Sequence, residues 1–454
     1  MAHAERDDHQ EFPGVDRVPI RFHRIARALT VGMTASFGWG VRGIFGHELG
    51  AAIPGILIGF ALALLSGHPL FRGRRWEAAA AGALGFAIGG SMSYGLLIGY
   101  TRHVQMASVV YGYLGLLLVG ALWGLLGGAW VGLALARAIT VRRLAVAVVA
   151  MGAAGGLGYA LLVLLLGLHL SPPRSDAWAV VLGAAVALSW LLRRWQVPAG
   201  WGGAIFGALG FGLGFVLGNA AQTLGSLSGL PFDWWKVMEM GMGFCGGSAL
   251  AWGIWLMGDL GRPLLRKPDM RDADLPLAAR LIAWGLVFVW VPVGLVATRF
   301  SSVELAALAH RAGLPAVGAF VGSRQLWAWT IVAAGVLATV RLPFSSPGSG
   351  RSEAAFPALV FALEMLLLAA LKSVHGDTQA WAVLGLLAAA LLTAILLGAA
   401  LRGDARVFHL HPPAPTARRV IFLAAIAVLL TLGVALWMRA LHASPLPGAQ
   451  LRWR

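Results

Sequence analysis

The chain has 454 residues, of which 59% are hydrophobic and 12% are charged, and its formal net charge is +16. An average soluble domain has about 45–50% apolar and about 25% charged residues. Here the apolar residues form long blocks with short basic clusters between them, which excludes a soluble enzyme, a disordered chain, a coiled coil and a nucleic-acid-binding domain, and the single Cys245 excludes an intrachain disulfide.

This composition predicts an all-α polytopic integral membrane protein. A helix needs about 20 mostly apolar residues to cross a hydrocarbon core of about 30 Å, and about 13 transmembrane helices satisfy that length. The predicted spans are 25–43, 50–67, 76–100, 108–136, 144–168, 177–193, 201–226, 236–258, 281–299, 324–341, 355–372, 380–401 and 420–441.

The basic residues predict the orientation, because Lys and Arg accumulate in cytoplasmic loops. With the N-terminus inside, the N-terminal tail and six consecutive inside loops together hold 24 of the 35 basic residues. The basic loops alternate with loops that carry few basic residues, and a missed or extra span would break this alternation. We therefore expect a protein of the cell (inner) membrane, with a cytoplasmic N-terminus and an extracytoplasmic C-terminus.

An internal repeat is the most specific pattern in the chain. Residues 76–89 match residues 201–214 without a gap and share a Gly-Ala-Leu-Gly-Phe core. The glycines of 124–128 and 243–247, in the following spans, also correspond. Since the matching spans lie four spans apart, the repeat is parallel. Its glycines predict close helix packing, or, as an alternative, helices that slide in an alternating-access cycle.

The predicted organisation is therefore two parallel four-helix repeats followed by a five-helix C-terminal bundle. In chain order, the parts are a cytoplasmic tail at 1–24, the first repeat at 25–143, the second repeat at 144–260, a basic cytoplasmic linker at 261–280, the bundle at 281–441 and an extracytoplasmic tail at 442–454.

The first hairpin carries the densest set of ionisable residues, which are costly inside a membrane. Arg42, His47 and Glu48 lie in the glycine-rich segment 38–50. The glycines predict a broken helix or a re-entrant turn near the outer face. We interpret the three residues as an anion-binding or proton-relay site, in which Arg42 holds the charge while His47 and Glu48 titrate. The alternative is that Arg42 pairs with Glu48 and only pins the hairpin.

Other spans contain further candidates. Lys236 and Glu239 face each other one helical turn apart, so Glu239 is either a functional carboxylate or half of a structural pair. Asn219 lies at the outer end of the seventh span, where it is placed to line the same cavity. Glu364, in the middle of the eleventh span, is either a proton-coupling carboxylate or a hydrogen-bonded helix contact.

These features favour a secondary transporter or permease over other membrane proteins. The repeat predicts a binding site between its two units, and Arg42 makes an anionic small solute a candidate substrate, coupled to protons or sodium. The chain has no H-E-x-x-H, G-x-S-x-G or P-loop motif, so we expect no metal, no cofactor and no ATP binding.

Two alternatives stay open at this point. One is a membrane-embedded transferase that acts on a lipid-linked or acyl substrate at the outer face, with Glu48 or His47 as general base. The other is a structural subunit of a membrane complex. The expected partners are the lipid bilayer and a small solute or ion, not nucleic acid, and the oligomeric state is left open.

Overall fold

A computed structural model describes residues 20–66, 69–136, 140–258, 277–344, 351–373, 377–402 and 417–453. Every regular element in these ranges is a helix. Ten of the helices are long and apolar enough to cross a membrane, so the chain is an all-helical, multi-pass membrane protein. The predicted tail before residue 20 and most of the predicted linker 261–280 lie outside the described residues.

The N-terminal part of the fold contains ten α-helices. They are α1 (Ile20–Phe45), α2 (Glu48–Leu65), α3 (Pro69–Arg72), α4 (Arg75–Gly89), α5 (Gly95–Thr101), α6 (Met106–Leu135), α7 (Val141–Tyr159), α8 (Ala177–Arg194), α9 (Pro198–Leu227) and α10 (Trp234–Gly258). A π-helical segment, Ala160–Leu165, extends α7.

The C-terminal part contains seven more α-helices in the described ranges. They are α11 (Leu277–Trp284), α12 (Val291–Arg299), α13 (Ser302–Arg311), α14 (Val317–Thr339), α15 (Arg351–Lys372), α16 (Asp377–Arg402) and α17 (Ala417–Ala440). A π-helical segment, Gly285–Trp290, joins α11 to α12, and a short 3₁₀ segment, Leu342–Phe344, follows α14.

Each of the thirteen predicted spans overlaps a helix, but α1, α4 and α10 are not among the ten helices that are long and apolar enough to cross. Helix α4 has only 15 residues, and α1 contains four arginines. The number of thirteen crossings therefore stays a prediction.

Six helices form a closed ring. Helix α1 packs against α2, α2 against α4, α4 against α6, α6 against α9, α9 against α10, and α10 against α1. Within three of these seams a glycine lies against the backbone carbonyl of a small residue on the next helix: Gly55 on Gly82, Gly124 on Gly207, and Gly243 on Ala35. One turn further along, the contact recurs: Gly59 on Ala78, Gly128 on Gly203, and Gly247 on Val31.

Because the spacing of these contacts is the same in all three seams, the ring consists of three helix pairs in an approximate threefold arrangement. The pairs are α1–α2, α4–α6 and α9–α10. Glycines allow this arrangement, since only a residue without a side chain lets two helix backbones approach so closely. The matching segments 76–89 and 201–214 fall in α4 and α9, which hold equivalent places in the ring.

The predicted pair of four-helix repeats is not confirmed. Helices α1 and α2 belong to the ring, whereas α7 and α8 pack against each other, with α8 resting on the outside of α6 and α9. Large apolar side chains of α7 and α8, such as Val149 and Trp190, are exposed on the protein surface, as is expected of helices that face lipid.

Aromatic side chains close the centre of the ring. Trp39 of α1, Phe86 of α4 and Phe211 of α9 are buried, and their ring centroids lie 5.0 to 5.9 Å apart. Each directly follows a glycine in the sequence, so the three residues occupy equivalent positions in the three helix pairs. We call them the aromatic trio.

The C-terminal helices surround the ring. Helices α15 and α16 pack against α1, and α17 packs against α6 and α9. The segment after α17 folds back over the end of the ring at which α1 ends, called here the Arg42 end. There Leu446 N donates to the Arg102 carbonyl at 3.0 Å, and Gln450 N donates to the Gly99 carbonyl at 2.9 Å. The tail predicted at 442–454 is thus docked, as far as residue 453.

Candidate ion-pair site

The end of α1 differs from the predicted broken helix. Helix α1 runs without interruption to Phe45, and only Gly46, with a φ of +91°, makes the turn into α2. The glycines before it serve close packing, because a Cβ atom at Gly38 would lie 2.9 Å from Pro54 Cα and a side chain at Gly43 would collide with the Glu239 carboxylate. The glycine-rich segment is therefore a packing surface.

Arg42 is the centre of a buried polar network. Its side chain is 1% exposed, and Nη1 donates to Glu239 Oε1 at 3.2 Å and to the Tyr94 hydroxyl at 3.0 Å. Its Nη2 lies 3.0 Å from His47 Nδ1. The Tyr94 hydroxyl is also 3.5 Å from Glu239 Oε1. An arginine suits this role because its planar group presents several donors in fixed directions.

Glu239 is held by a second cation from its own helix. Lys236 Nζ donates to Glu239 Oε2 at 2.7 Å, across one turn of α10. The two carboxylate oxygens of Glu239 therefore have different cations, Arg42 on one and Lys236 on the other. Asp233 precedes this turn, and its Oδ1 accepts a hydrogen bond from Lys236 N at 3.1 Å, which caps the start of α10.

Aromatic rings surround the Arg42 guanidinium. Its Cζ lies 5.6 Å from the centroid of Trp39, 5.5 Å from Tyr94 and 5.1 Å from Trp123. A desolvated cation–π contact contributes about 2 kcal/mol. The rings therefore replace part of the hydration that Arg42 loses on burial, and Trp39 connects the ion pair to the aromatic trio, of which it is a member.

Two cations of the network share one carboxylate. Arg42 and Lys236 both contact Glu239, and Arg42 Nε donates to no described residue. Two further cations border the α1–α2 turn: the Arg299 guanidinium lies against Gly46, and Lys372 Nζ donates to the Ile44 carbonyl at 3.1 Å. Such a cluster is suited chemically to bind a carboxylate or another small anion.

The structure separates the candidates of the first hairpin. His47 joins Arg42, but Glu48, the first residue of α2, is exposed and makes no hydrogen bond or ion pair in the described part of the chain. The hypothesis that Arg42 pairs with Glu48 is therefore wrong. Glu239, 197 residues away in the sequence, takes that place.

The other candidates lie apart from the network. Asn219 is buried in α9, and its Nδ2 donates to Thr101 Oγ1 at 2.9 Å. Glu364 of α15 is 3% exposed, and neither of its carboxyl oxygens has a hydrogen-bond partner among the described residues. Its carboxyl group lies against Gly335 of α14, where a Cβ atom would be 2.6 Å from Oε2.

Sequence reasoning missed three residues of this site. They are Tyr94, Trp123 and Arg299, and the last two carry no sequence signal beyond their residue types. Tyr94 lies in the break between α4 and α5, and an interrupted helix in a membrane span is the one pattern that points to it.

The chain matches no family model, no curated protein and no solved structure.

Proposed function

We propose that the protein is a secondary transporter for a small anionic solute, which binds where Arg42 and Lys236 now share Glu239. The observation that carries this proposal is the shared carboxylate itself. A buried site that holds one carboxylate between two cations has the charge and the geometry to hold a different carboxylate in its place.

The resident carboxylate also supplies a coupling mechanism. When Glu239 takes up a proton, its attraction to Arg42 and Lys236 falls, and the solute's carboxylate can replace it. One proton then enters the site with each anion, so the charge of the site is conserved. Tyr94 and His47 adjoin Arg42 and keep donors and acceptors available while Glu239 and the solute exchange. Asp233, at the start of α10, adds a negative charge beside Lys236 and favours a solute with a single charge.

We also propose that the chain crosses the cell membrane thirteen times. Its N-terminus is cytoplasmic and its C-terminus extracytoplasmic, so that the Arg42 end faces outward. The pair Arg42–Glu239 then joins the predicted units 25–143 and 144–260, which is where a site between repeats is expected. The aromatic trio closes the path on the inner side of this site. We propose Glu364 as a second proton-binding group, since an unpaired carboxyl in a membrane is stable only when it is neutral.

The transferase alternative receives less support from this geometry. It requires an accessible base beside Arg42, whereas Glu48 is exposed without an ion pair to Arg42, and His47 is itself in contact with Arg42. A structural subunit would not need two buried cations that share one carboxylate.

Chemical rescue tests the proposal. We expect Glu239→Ala to unfold at a lower temperature than the wild type, because two buried cations lose their partner. Sodium formate should restore the unfolding temperature, since formate is the carboxylate that the variant lacks, whereas sodium chloride at equal ionic strength should restore less. Glu304→Ala, which removes an exposed carboxylate, is the matched control and should respond to neither salt.

Uptake into liposomes gives the second measurement. Radiolabelled pyruvate, a small carboxylate, should enter proteoliposomes faster when the outside is acidified, and Glu239→Gln should remove that dependence on pH. Failure of formate rescue together with absent uptake of pyruvate would contradict the proposed function.

A further inference from the structure

A cleft on the side of the ring leads to the ion-pair site. It lies between α1, α10 and α16 and has a volume of about 330 Å³. Its residues are Met33, Phe232, Asp233, Lys236, Val237, Met240, Ala382, Gly385, Ala388, Ala389 and Leu392. A Cβ atom at Gly385 would meet no atom within 4 Å, so the wall formed by α16 borders open space.

The surface of the cleft is almost entirely apolar, and two charged residues are among those that line it. Asp233 and Lys236 lie at the Arg42 end, whereas the α16 wall from Ala382 to Leu392 contains only apolar residues and glycine in its lining. At 1.5 Å per residue this wall is about 15 Å long, which is half of the hydrocarbon core of about 30 Å. Thr393 donates to the Met33 carbonyl at 3.3 Å and joins α16 to α1 at the other end.

The Arg42 end of the cleft is continuous with the site. Lys236 lines the cleft, and its Nζ contacts Glu239 Oε2 at 2.7 Å. A group that enters along the cleft therefore reaches Lys236 first and Arg42 next. Lys236 is 12% exposed while Arg42 is 1% exposed, so Lys236 is the more accessible of the two cations.

From these observations we infer that the site also accepts an amphiphile, a long-chain carboxylate that enters sideways from the outer leaflet. Its chain lies along α16 and its carboxylate binds Lys236 in place of Glu239. This inference rests on the proposed function and extends its substrate class from small to long-chain carboxylates. The charges of the cleft favour a carboxylate, since a head group with two negative charges would lie against Asp233, and the shared cations already hold a carboxylate from Glu239.

The test uses the full-length protein in micelles and palmitate that carries a photoactivatable diazirine on its chain. In the wild type we expect labelled peptides from α16 and α10. Gly385→Trp fills the cleft without a collision at Cβ. Each buried methylene contributes about 0.8 kcal/mol, or about fourfold in affinity, so loss of a few methylene contacts should weaken palmitate binding by about tenfold or more.

Gly433→Trp is the matched control, because a Cβ atom at Gly433 on α17 also meets no atom within 4 Å. It should leave palmitate binding and labelling unchanged. Lys236→Met should weaken palmitate binding but leave the binding of the uncharged palmityl alcohol, 1-hexadecanol, unchanged, because only the carboxylate requires the cation.

Formate rescue of Glu239→Ala separates this inference from the proposed function, because formate has no chain to place in the cleft. The lateral route is supported if Gly385→Trp abolishes palmitate binding while formate still rescues the double variant Glu239→Ala, Gly385→Trp. Equal palmitate binding by wild type and Gly385→Trp would overturn the route while formate rescue still upheld the anion site.

Discussion

The ring and the C-terminal helices bury ionisable groups in different ways. In the ring, Arg42 and Glu239 lie 3.2 Å apart and each has further polar partners. In the C-terminal part, Glu364 is 3% exposed and neither of its carboxyl oxygens finds a partner among the described residues. The two carboxyl groups therefore have opposite requirements, since one needs its negative charge and the other is stable only when neutral.

The difference follows from the packing. Glycines in the ring bring the backbones of neighbouring helices into contact, so charged groups from different helices are positioned closely enough to pair. The C-terminal helices carry larger apolar side chains, and many of these face outward, among them Leu359 and Leu363 of α15. Among the described residues there, no side chain donates a hydrogen bond to the Glu364 carboxyl group. The comparison shows that pairing depends on how closely the helices approach, and not on burial alone.

The largest expected effect is at a ring seam. Gly207→Leu would place a side chain on the Gly124 carbonyl, so α6 and α9 must separate, and we expect a loss of more than about 4 kcal/mol of stability. Gly285→Leu, at a C-terminal position where a Cβ meets no atom within 4 Å, should be nearly neutral. Thermal unfolding followed by tryptophan fluorescence measures both variants. Equal losses would show that the two regions do not differ in packing.

The next effect is at the ion pair. Gly43→Ala would push a methyl group into the Glu239 carboxylate and separate it from Arg42, and breaking a buried pair costs about 3–5 kcal/mol. The control is Gly318→Ala on α14, where nothing lies within 4 Å of the added Cβ. Unfolding temperatures in micelles compare the two. An unchanged temperature in Gly43→Ala would mean that α1 and α10 adjust without loss of the pair.

The two carboxyl groups can be compared directly. Glu239→Leu should lower stability by about 3–5 kcal/mol, whereas Glu364→Leu should leave it unchanged or raise it by about 1–3 kcal/mol, because an unsatisfied buried polar group is removed. Infrared spectra of the wild type should contain a protonated carboxyl band at neutral pH that Glu364→Gln lacks. If that band is present in Glu364→Gln, the neutral carboxyl belongs to another residue.

The smallest effect is at an exposed helix end in the C-terminal part. Ser301 Oγ accepts a hydrogen bond from Glu304 N at 3.3 Å and caps α13. Ser301→Ala should therefore cost about 1 kcal/mol, with Ser302→Ala as the control. A loss of the size expected for Gly43→Ala would indicate that α13 stabilises far more of the molecule than its own turn.

The sequence could predict the helices and part of the site. Apolar blocks mark where helices cross a membrane, and the pair Lys236–Glu239 follows from their spacing on one helix. The pair Arg42–Glu239 could not be predicted, because its residues are 197 apart and meet only through the packing of α1 on α10. The glycines of 38–43 were interpreted as a break in the helix, since glycine serves both flexibility and close approach.

The long separation of Arg42 from Glu239 also sets the order in which the protein can assemble. A ribosome adds about 5–20 residues per second, so 197 residues take about 10–40 s to synthesise. For that time α1, which is not among the helices that are apolar enough to cross a membrane, carries an arginine without its carboxylate. The seams α2–α4 and α6–α9 can close during synthesis, but α10–α1 must close last. Formation of the ion pair is therefore the event that marks completion of the ring in the membrane.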